Sequence, residues 1–253
     1  MKTKIILLLS LISTIGFAQE QCLDADKQAK VEEIISLFQG KNPANKLSKK
    51  VVYPLKRLHP LPDVKNEREF KQRFAQIFDA SLITLIANSS IKQWEDVGGR
   101  GIMLDAGIVW IDSDSGKITS INYESDVEMK QRTELISIEK ESLHRSLRNF
   151  ESPIFKIKTK NYLIRIDLLS DQTYRYASWK VIDAETSKPD LILRNGTINF
   201  EGSGGNHNIS FVNGDFTYRV FRYILGSGNE PDVTLEVYKD NRMVLTEDGT
   251  LVE

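Results

Sequence analysis

The second half of the chain constrains the fold most strongly, because short apolar runs follow one another there with turn residues between them. From residue 162 to 168, apolar side chains occupy every second position, as in a strand with one buried face. Asn195-Gly196 and Asn213-Gly214 separate further alternating runs, and Asn-Gly favours the two-residue turns of β-hairpins. About eight such strands in about 100 residues predict an all-β antiparallel barrel or sandwich over residues 150–253.

One strand of this half leaves two arrangements open. Its residues alternate between two sets, namely Tyr174, Tyr176 and Ser178 against Arg175, Ala177 and Trp179. One set must lie inside, and aromatic pairs across strands are typical of a core. An outer face that kept Tyr and Arg together would suit contact with a glycan or a protein.

The first half of the chain has helical periodicity and only a short cluster of strands. Its clearest amphipathic helix begins after Asn66, with Glu69 in position to complete a capping box. The runs 101–104 and 108–111 flank a short turn that contains Gly107, which predicts a β-hairpin. The predicted fold class is therefore α+β, with helices on a curved sheet in the first half.

These patterns divide the chain into segments. Residues 19–124 form the α+β domain, residues 125–149 a helical connector and residues 150–253 the all-β domain. Within the connector, the apolar side chains Leu135, Ile138 and Leu143 predict the buried stripe of the helix.

Residues 1–18 have the layout of a secretory signal peptide. Lys2 and Lys4 precede a mostly apolar stretch, and small residues surround the expected cleavage point after Ala18. The stretch is shorter than the about 20 apolar residues of a spanning helix. We therefore expect an exported bacterial protein, periplasmic or extracellular, with no membrane span.

Composition narrows the classes of ligand. The chain has 34 Lys and Arg against 35 Asp and Glu, a net charge of −1, which argues against a nucleic-acid partner. The single cysteine, Cys22, excludes an intramolecular disulfide and a cysteine-based zinc site. The three histidines have no metal-ligand spacing, so we expect neither a metal nor another cofactor. The oligomeric state stays open.

The layout of residues 23–124 resembles the nuclear transport factor two-like cone fold, the fold of ketosteroid isomerases. The resemblance lies in five short motifs, namely Tyr53-Pro54-Leu55, the helix through Phe70 and Phe78, residues 101–104, residues 107–110 and residues 117–123. It implies helices over a bent sheet with an apolar pocket at the wide end.

The resemblance also implies where a ligand would bind. Tyr53 and Tyr123 are candidate pocket residues, and Trp94, Arg100 and Trp110 are candidates for the pocket rim. Enzymes of this fold use a carboxylate with a tyrosine or a second acid. No residue here matches such a catalytic position, so we expect no catalytic residues.

The all-β half is similar to the small periplasmic inhibitors of C-type lysozyme, which present a Ser/Gly-rich loop to the enzyme. The resemblance rests on strand number and on Gly202-Ser-Gly-Gly-Asn206, and the disulfide usual in those inhibitors is absent. It implies a partner loop that contains Ser203, Asn206 and His207.

These observations favour an exported two-domain binding protein without catalysis of its own. Its partner would be a small apolar ligand, a glycan or an extracytoplasmic protein. The alternatives are an isomerase or hydrolase that uses the cone pocket, and a lysozyme-inhibitor-like protein. A buried carboxylate within hydrogen-bond reach of a Tyr or His at the bottom of the pocket would favour the enzyme.

Overall fold

A computed structural model describes residues 23–202, 205–224 and 230–252. The predicted signal peptide, Cys22 and Ser203 lie outside the described residues. In the described part the chain is mixed α+β, with a four-stranded antiparallel sheet followed by an eight-stranded closed barrel.

The first half contains four α-helices and the sheet. The helices are α1 (Ala25–Gln39), α2 (Ala44–Leu47), α3 (Glu67–Ile77) and α4 (Ala80–Ala87). The strands are β1 (Trp94–Asp96), β2 (Ile102–Leu104), β3 (Val109–Ile111) and β4 (Ile118–Ile121), and each pairs with the next. The predicted hairpin is therefore confirmed as β2 and β3, and β1 is an additional strand.

Local sequence explains where the helices start. Asn66 caps α3 by accepting from the backbone N–H of Arg68 and of Glu69, each at 3.1 Å. Asp79 caps α4 in the same way by accepting from the N–H of Leu82 at 2.8 Å. The apolar faces of these helices pack with β1–β4 in one hydrophobic core.

A long helix, α5 (Asp126–Ser142), joins the two halves. The predicted apolar stripe is confirmed in part: Leu143 is buried and Leu135 is half-buried, whereas Ile138 is 64 % exposed and Ile136 is buried in its place. Charged residues share the inner face of α5 with these apolar side chains: Glu128 is fully buried and Glu139 contacts the barrel through Arg165. An apolar periodicity could not reveal the part of the face that is held by ion pairs.

The second half is an up-and-down barrel. Its strands are β5 (Ser152–Thr159), β6 (Tyr162–Leu168), β7 (Tyr174–Lys180), β8 (Leu191–Phe200), β9 (His207–Asn213), β10 (Phe216–Arg222), β11 (Val233–Lys239) and β12 (Arg242–Leu251). Each strand pairs with its neighbour in the chain, and pairing of Gly249 with Thr159 joins β12 to β5 and closes the barrel.

Of the two Asn-Gly sites, one lies at a turn and the other does not. The predicted hairpin between β9 and β10 is confirmed, but Asn213 pairs with Phe216 as a strand residue and the two turn residues are Gly214 and Asp215. Asn195-Gly196, in contrast, lies inside the continuous strand β8, where Asn195 has a φ of 58° and the register with β7 shifts by one residue. The positive φ therefore serves a β-bulge rather than a hairpin. Gly196 is required there because a Cβ would lie 2.2 Å from the Phe211 ring.

The two faces of β6 and β7 have different roles. Ile164, Ile166 and Tyr176 point into the lumen, whereas Ala177 and Trp179 lie outside in a separate apolar cluster with α5. Tyr and Arg are thus on opposite faces, and the outer face is covered. Within the described ranges, no helix is both long and apolar enough to cross a membrane.

Candidate functional site

The helices α1–α4 and the strands β1–β4, called the first domain from here on, have a core rich in aromatic rings. Phe78 lies 4.9 Å from Phe74 and 5.2 Å from Phe38 between ring centroids, and Phe70 contacts Phe74 at 5.8 Å. The two cavities described below lie in the barrel lumen and at the junction of the domains. Neither is lined by any of the five ligand candidates of the first domain.

Two of these candidates are part of the packing. Trp94 is buried, and its Nε1–H donates to Ser89 Oγ at 3.0 Å. Tyr53 is half-buried against Phe70, and its hydroxyl donates to the carbonyl of Ser48 at 2.8 Å. Burial raises the pKa of Tyr53, so its phenol stays neutral at ordinary pH.

Arg100 and Trp110 lie together, as a pocket rim would require. The guanidinium carbon of Arg100 is 5.9 Å from the centre of the Trp110 ring, within cation–π range. The indole also lies close to Gly107, where a Cβ would approach its nitrogen to 2.9 Å. The pair lines neither of the two cavities.

Tyr123 forms the carboxylate–tyrosine pair that would favour an enzyme, but not in the required setting. Its hydroxyl donates to Asp79 Oδ2 at 2.6 Å. This bond and the N–H of Leu82 lower the pKa of Asp79, while the same bond raises the pKa of Tyr123 to about 12. Both side chains are only half-buried, and the carboxylate is already used as the cap of α4. The pair fits helix capping.

The barrel contains a cavity of about 220 Å³ at one end of its lumen. Closure of the barrel brings side chains from six strands and the β7–β8 loop to this point. The lining consists of Tyr162, Tyr176, Ser178, Asp190, Leu191, Phe216, Tyr218, Leu235, Val237 and Leu245. Because Asp190 is exposed and several of the others are half-buried, this end of the lumen opens to solvent.

The lining is apolar with a few convergent hydroxyl groups. Tyr176 and Tyr218 lie 5.9 Å apart between ring centres, and Ser178 is buried beside them. Burial raises the pKa of Tyr176 and of Tyr218, so both phenols remain neutral hydrogen-bond donors. Among the described residues, the lining has no Lys or Arg. The site therefore suits an uncharged ligand better than an anion.

Aromatic rings close the lumen at the opposite end. Phe155 on β5 and His207 on β9 come from strands that face each other across the barrel, and their rings stack at 5.9 Å. Phe200 adds a second contact to His207 at 5.7 Å. His207 Nδ1 is 2.8 Å from the carbonyl of Gly205, which orients the ring. The lumen cavity thus has one open end.

The predicted partner loop joins β8 and β9 at this closed end. Asn206 Oδ1 accepts from the N–H of Ile224 at 2.8 Å, and His207 is part of the aromatic closure. Both side chains therefore support the barrel, and Ser203 is outside the described residues.

The lumen residues were missed because they lie far apart in sequence. The alternation of β7 placed Tyr176 with Ser178, but Tyr162 and Tyr218 join them only through closure of the barrel. In the described part of the chain, no group of three metal-binding side chains comes together. Comparison with family models, with curated proteins and with solved structures finds no match for this chain.

Proposed function

We propose that this chain is a binding protein that holds a small, uncharged and largely apolar ligand in the lumen of its barrel, and that it performs no chemistry on it. One observation carries the proposal: a cavity with one open end, apolar walls and convergent hydroxyl groups from Tyr176, Ser178 and Tyr218. Pockets with this combination are typical of small-molecule sites.

The size of the cavity restricts the ligand. Its volume of 220 Å³ equals about seven waters at the density of the liquid. That is room for a single ring with one polar substituent, and too little for a long acyl chain. The phenol groups would donate to or accept from the polar substituent, and the ring would pack against Leu235 and Val237.

The test is calorimetric titration of the protein with p-cresol, with a variant that fills the cavity. Leu245 lines the lumen, so Leu245→Trp should abolish binding. The neighbouring Val244 is 54 % exposed, and Val244→Trp is the matched control that should bind p-cresol like the wild type. Retained binding in Leu245→Trp would overturn the lumen site. Failure of p-cresol, indole and cyclohexanol to bind the wild type would overturn the ligand class.

The detailed fold of the first domain is also a proposal. We propose that its helices and sheet form the cone fold that the sequence resembles, now as a packed support rather than a ligand pocket. The aromatic core supports this role, because its rings contact one another directly. An isomerase or hydrolase in this domain is the weaker candidate, since the Tyr123–Asp79 pair lines neither cavity.

We also propose export of the protein to the periplasm or beyond, on the layout of residues 1–18. Protein sequencing of the N-terminus after expression with the native leader should begin at Gln19. A mature chain that still begins at Met1 would contradict export by this route. Lysozyme inhibition is the weaker alternative: the eight-stranded barrel supports it, but Asn206 and His207 of the predicted partner loop make contacts within the barrel.

A further inference from the structure

A second cavity lies where the two domains meet, away from the open end of the lumen. It has a volume of about 400 Å³, within the range of small-molecule sites. Leu61 contributes from the first domain, and Phe155, Leu251 and Val252 contribute from the barrel, so part of the wall is apolar. The remainder is polar and carries four basic side chains, a histidine and two carboxylates, namely Lys56, Arg57, Lys156, Arg222, His59, Asp63 and Asp232.

Three of these four cations already have a carboxylate partner. Lys56 pairs with Asp63 at 2.6 Å, Lys156 pairs with Glu185 at 3.0 Å, and Arg57 is bound by Glu128. Their charges are therefore largely neutralised within the protein, and these three side chains do not require a bound anion.

Arg222 is different. In the described part of the chain, no carboxylate lies within the 4.0 Å of a salt bridge to its guanidinium. Its Nη1 donates instead to the carbonyls of Tyr223 and Asp232, at 2.6 and 2.9 Å. Burial lowers the pKa of Arg222, although a guanidinium still carries its charge at any ordinary pH. The Asp232 carboxylate, which lines the same cavity, offsets part of the cost of this burial through space, but it makes no ion pair with the guanidinium. A carboxylate bound directly to the guanidinium would add charge-assisted hydrogen bonds.

His59 adds a second unsatisfied group to the same cavity. Its Nε2 is buried and has no hydrogen-bond partner among the described residues. The residue is held in place through its backbone, because the carbonyl of His59 accepts from Arg132 Nε of α5 at 2.9 Å. Arg132 also donates to Ser152 of the barrel at 3.1 Å, so the contact spans the junction.

We propose that the junction cavity is a second binding site, for a small monocarboxylate with an apolar body, with Arg222 and His59 holding the carboxylate. A planar guanidinium matches the two oxygens of a carboxylate, and its Nε and Nη2 form no hydrogen bond in the described structure. The apolar body of the ligand would lie against Phe155 and Leu251. This site and its ligand are independent of the lumen site.

The experiment compares hexanoate with its uncharged analogue hexanamide by calorimetric titration. Hexanoate should bind the wild type about tenfold or more tightly than hexanamide, because only the anion gains the charge-assisted bonds. In Arg222→Met this difference should disappear, and in Arg222→Lys it should be partly retained. The lumen variant Leu245→Trp should bind hexanoate like the wild type, which separates the two sites.

Thermal unfolding shows first whether each variant is folded. If Arg222→Met fails to fold, His59→Leu is used in its place, and it should weaken the binding of hexanoate by several fold. Equal affinity for hexanoate and hexanamide, or an unchanged hexanoate affinity in the folded variant, would overturn the proposal. Loss of hexanoate binding in Leu245→Trp would overturn it too, since the anion would then occupy the lumen.

Discussion

The interior of the first domain and the interior of the barrel are built from similar side chains, yet the rings of the first domain stack on one another whereas those of the barrel border a cavity. In the first domain, Phe74 and Phe78 stack at 4.9 Å and leave their rings in contact. In the barrel, Tyr176 and Tyr218 also meet, at 5.9 Å, but with a cavity beside them. Helices can shift against a sheet until the gaps close, whereas the radius of a closed barrel follows from its strands.

The largest expected effect of this difference concerns stability. Phe78 is buried in the filled core, so Phe78→Ala should lower the free energy of unfolding by about 3–5 kcal/mol. The matched change Phe216→Ala removes the same side chain from the lumen mouth, where it is half-buried, and should cost about 1 kcal/mol. Urea unfolding followed by circular dichroism measures both. Equal losses would mean that the lumen mouth is packed as tightly as the core.

A second substitution tests whether the barrel is tightly packed near Phe211. Gly196 faces the Phe211 ring, so Gly196→Ala should overpack this part of the wall and cost about 1–3 kcal/mol. Gly99 has open space around the position of a Cβ, and Gly99→Ala is the control, with an expected change near zero. If both variants unfold at the same urea concentration, the barrel wall near Phe211 has room to spare.

The smallest expected effect is a change in the pH dependence of stability, and it concerns Tyr123 of the first domain rather than the tyrosines of the lumen. The pKa of Tyr123 rises from 10.0 to about 12 on folding. The folded state therefore retains this proton where the unfolded chain loses it, and the associated stability is present below pH 10.0 and is lost as the pH rises toward about 12.

In Tyr123→Phe this contribution is absent, so the decline of stability over that range should be shallower than in the wild type. At pH 7 the variant should lose about 1 kcal/mol, the ordinary value of one hydrogen bond. Thermal unfolding at a series of pH values gives both results. Identical slopes would show that the Asp79–Tyr123 bond contributes nothing in solution.

Local patterns predicted most of the elements but little of the site. Alternation along β6 and β7 was sufficient to predict an antiparallel barrel or sandwich, because side-chain period depends only on neighbours in the chain. It could not choose the barrel, since closure depends on β12 meeting β5, about 90 residues apart. The lumen site exists only because the barrel closes, so it could not be predicted from the sequence.

Two errors have a common cause. Asn195-Gly196 has the composition of a hairpin turn, and only the neighbouring strands decide that its positive φ serves a bulge. The predicted stripe of α5 included Ile138, which is exposed, whereas the ion pairs of Glu128 and Glu139 form part of the inner face that no apolar pattern indicates. In both cases tertiary partners override a local preference that several structures could satisfy.

The ion pairs of α5 also determine where a truncated fragment that contains the barrel should begin. The first turn of α5 is tied to the first domain through Glu128, which binds Arg57 and lies 3.7 Å from Arg73. Its last turns cover Arg165, which lies 2.6 Å from Glu139 and shares Asp167 with Arg175. A barrel excised at residue 150 would expose Trp179 and leave two arginines facing one carboxylate. A soluble fragment should instead begin before Asp126 and retain the helix as part of the barrel.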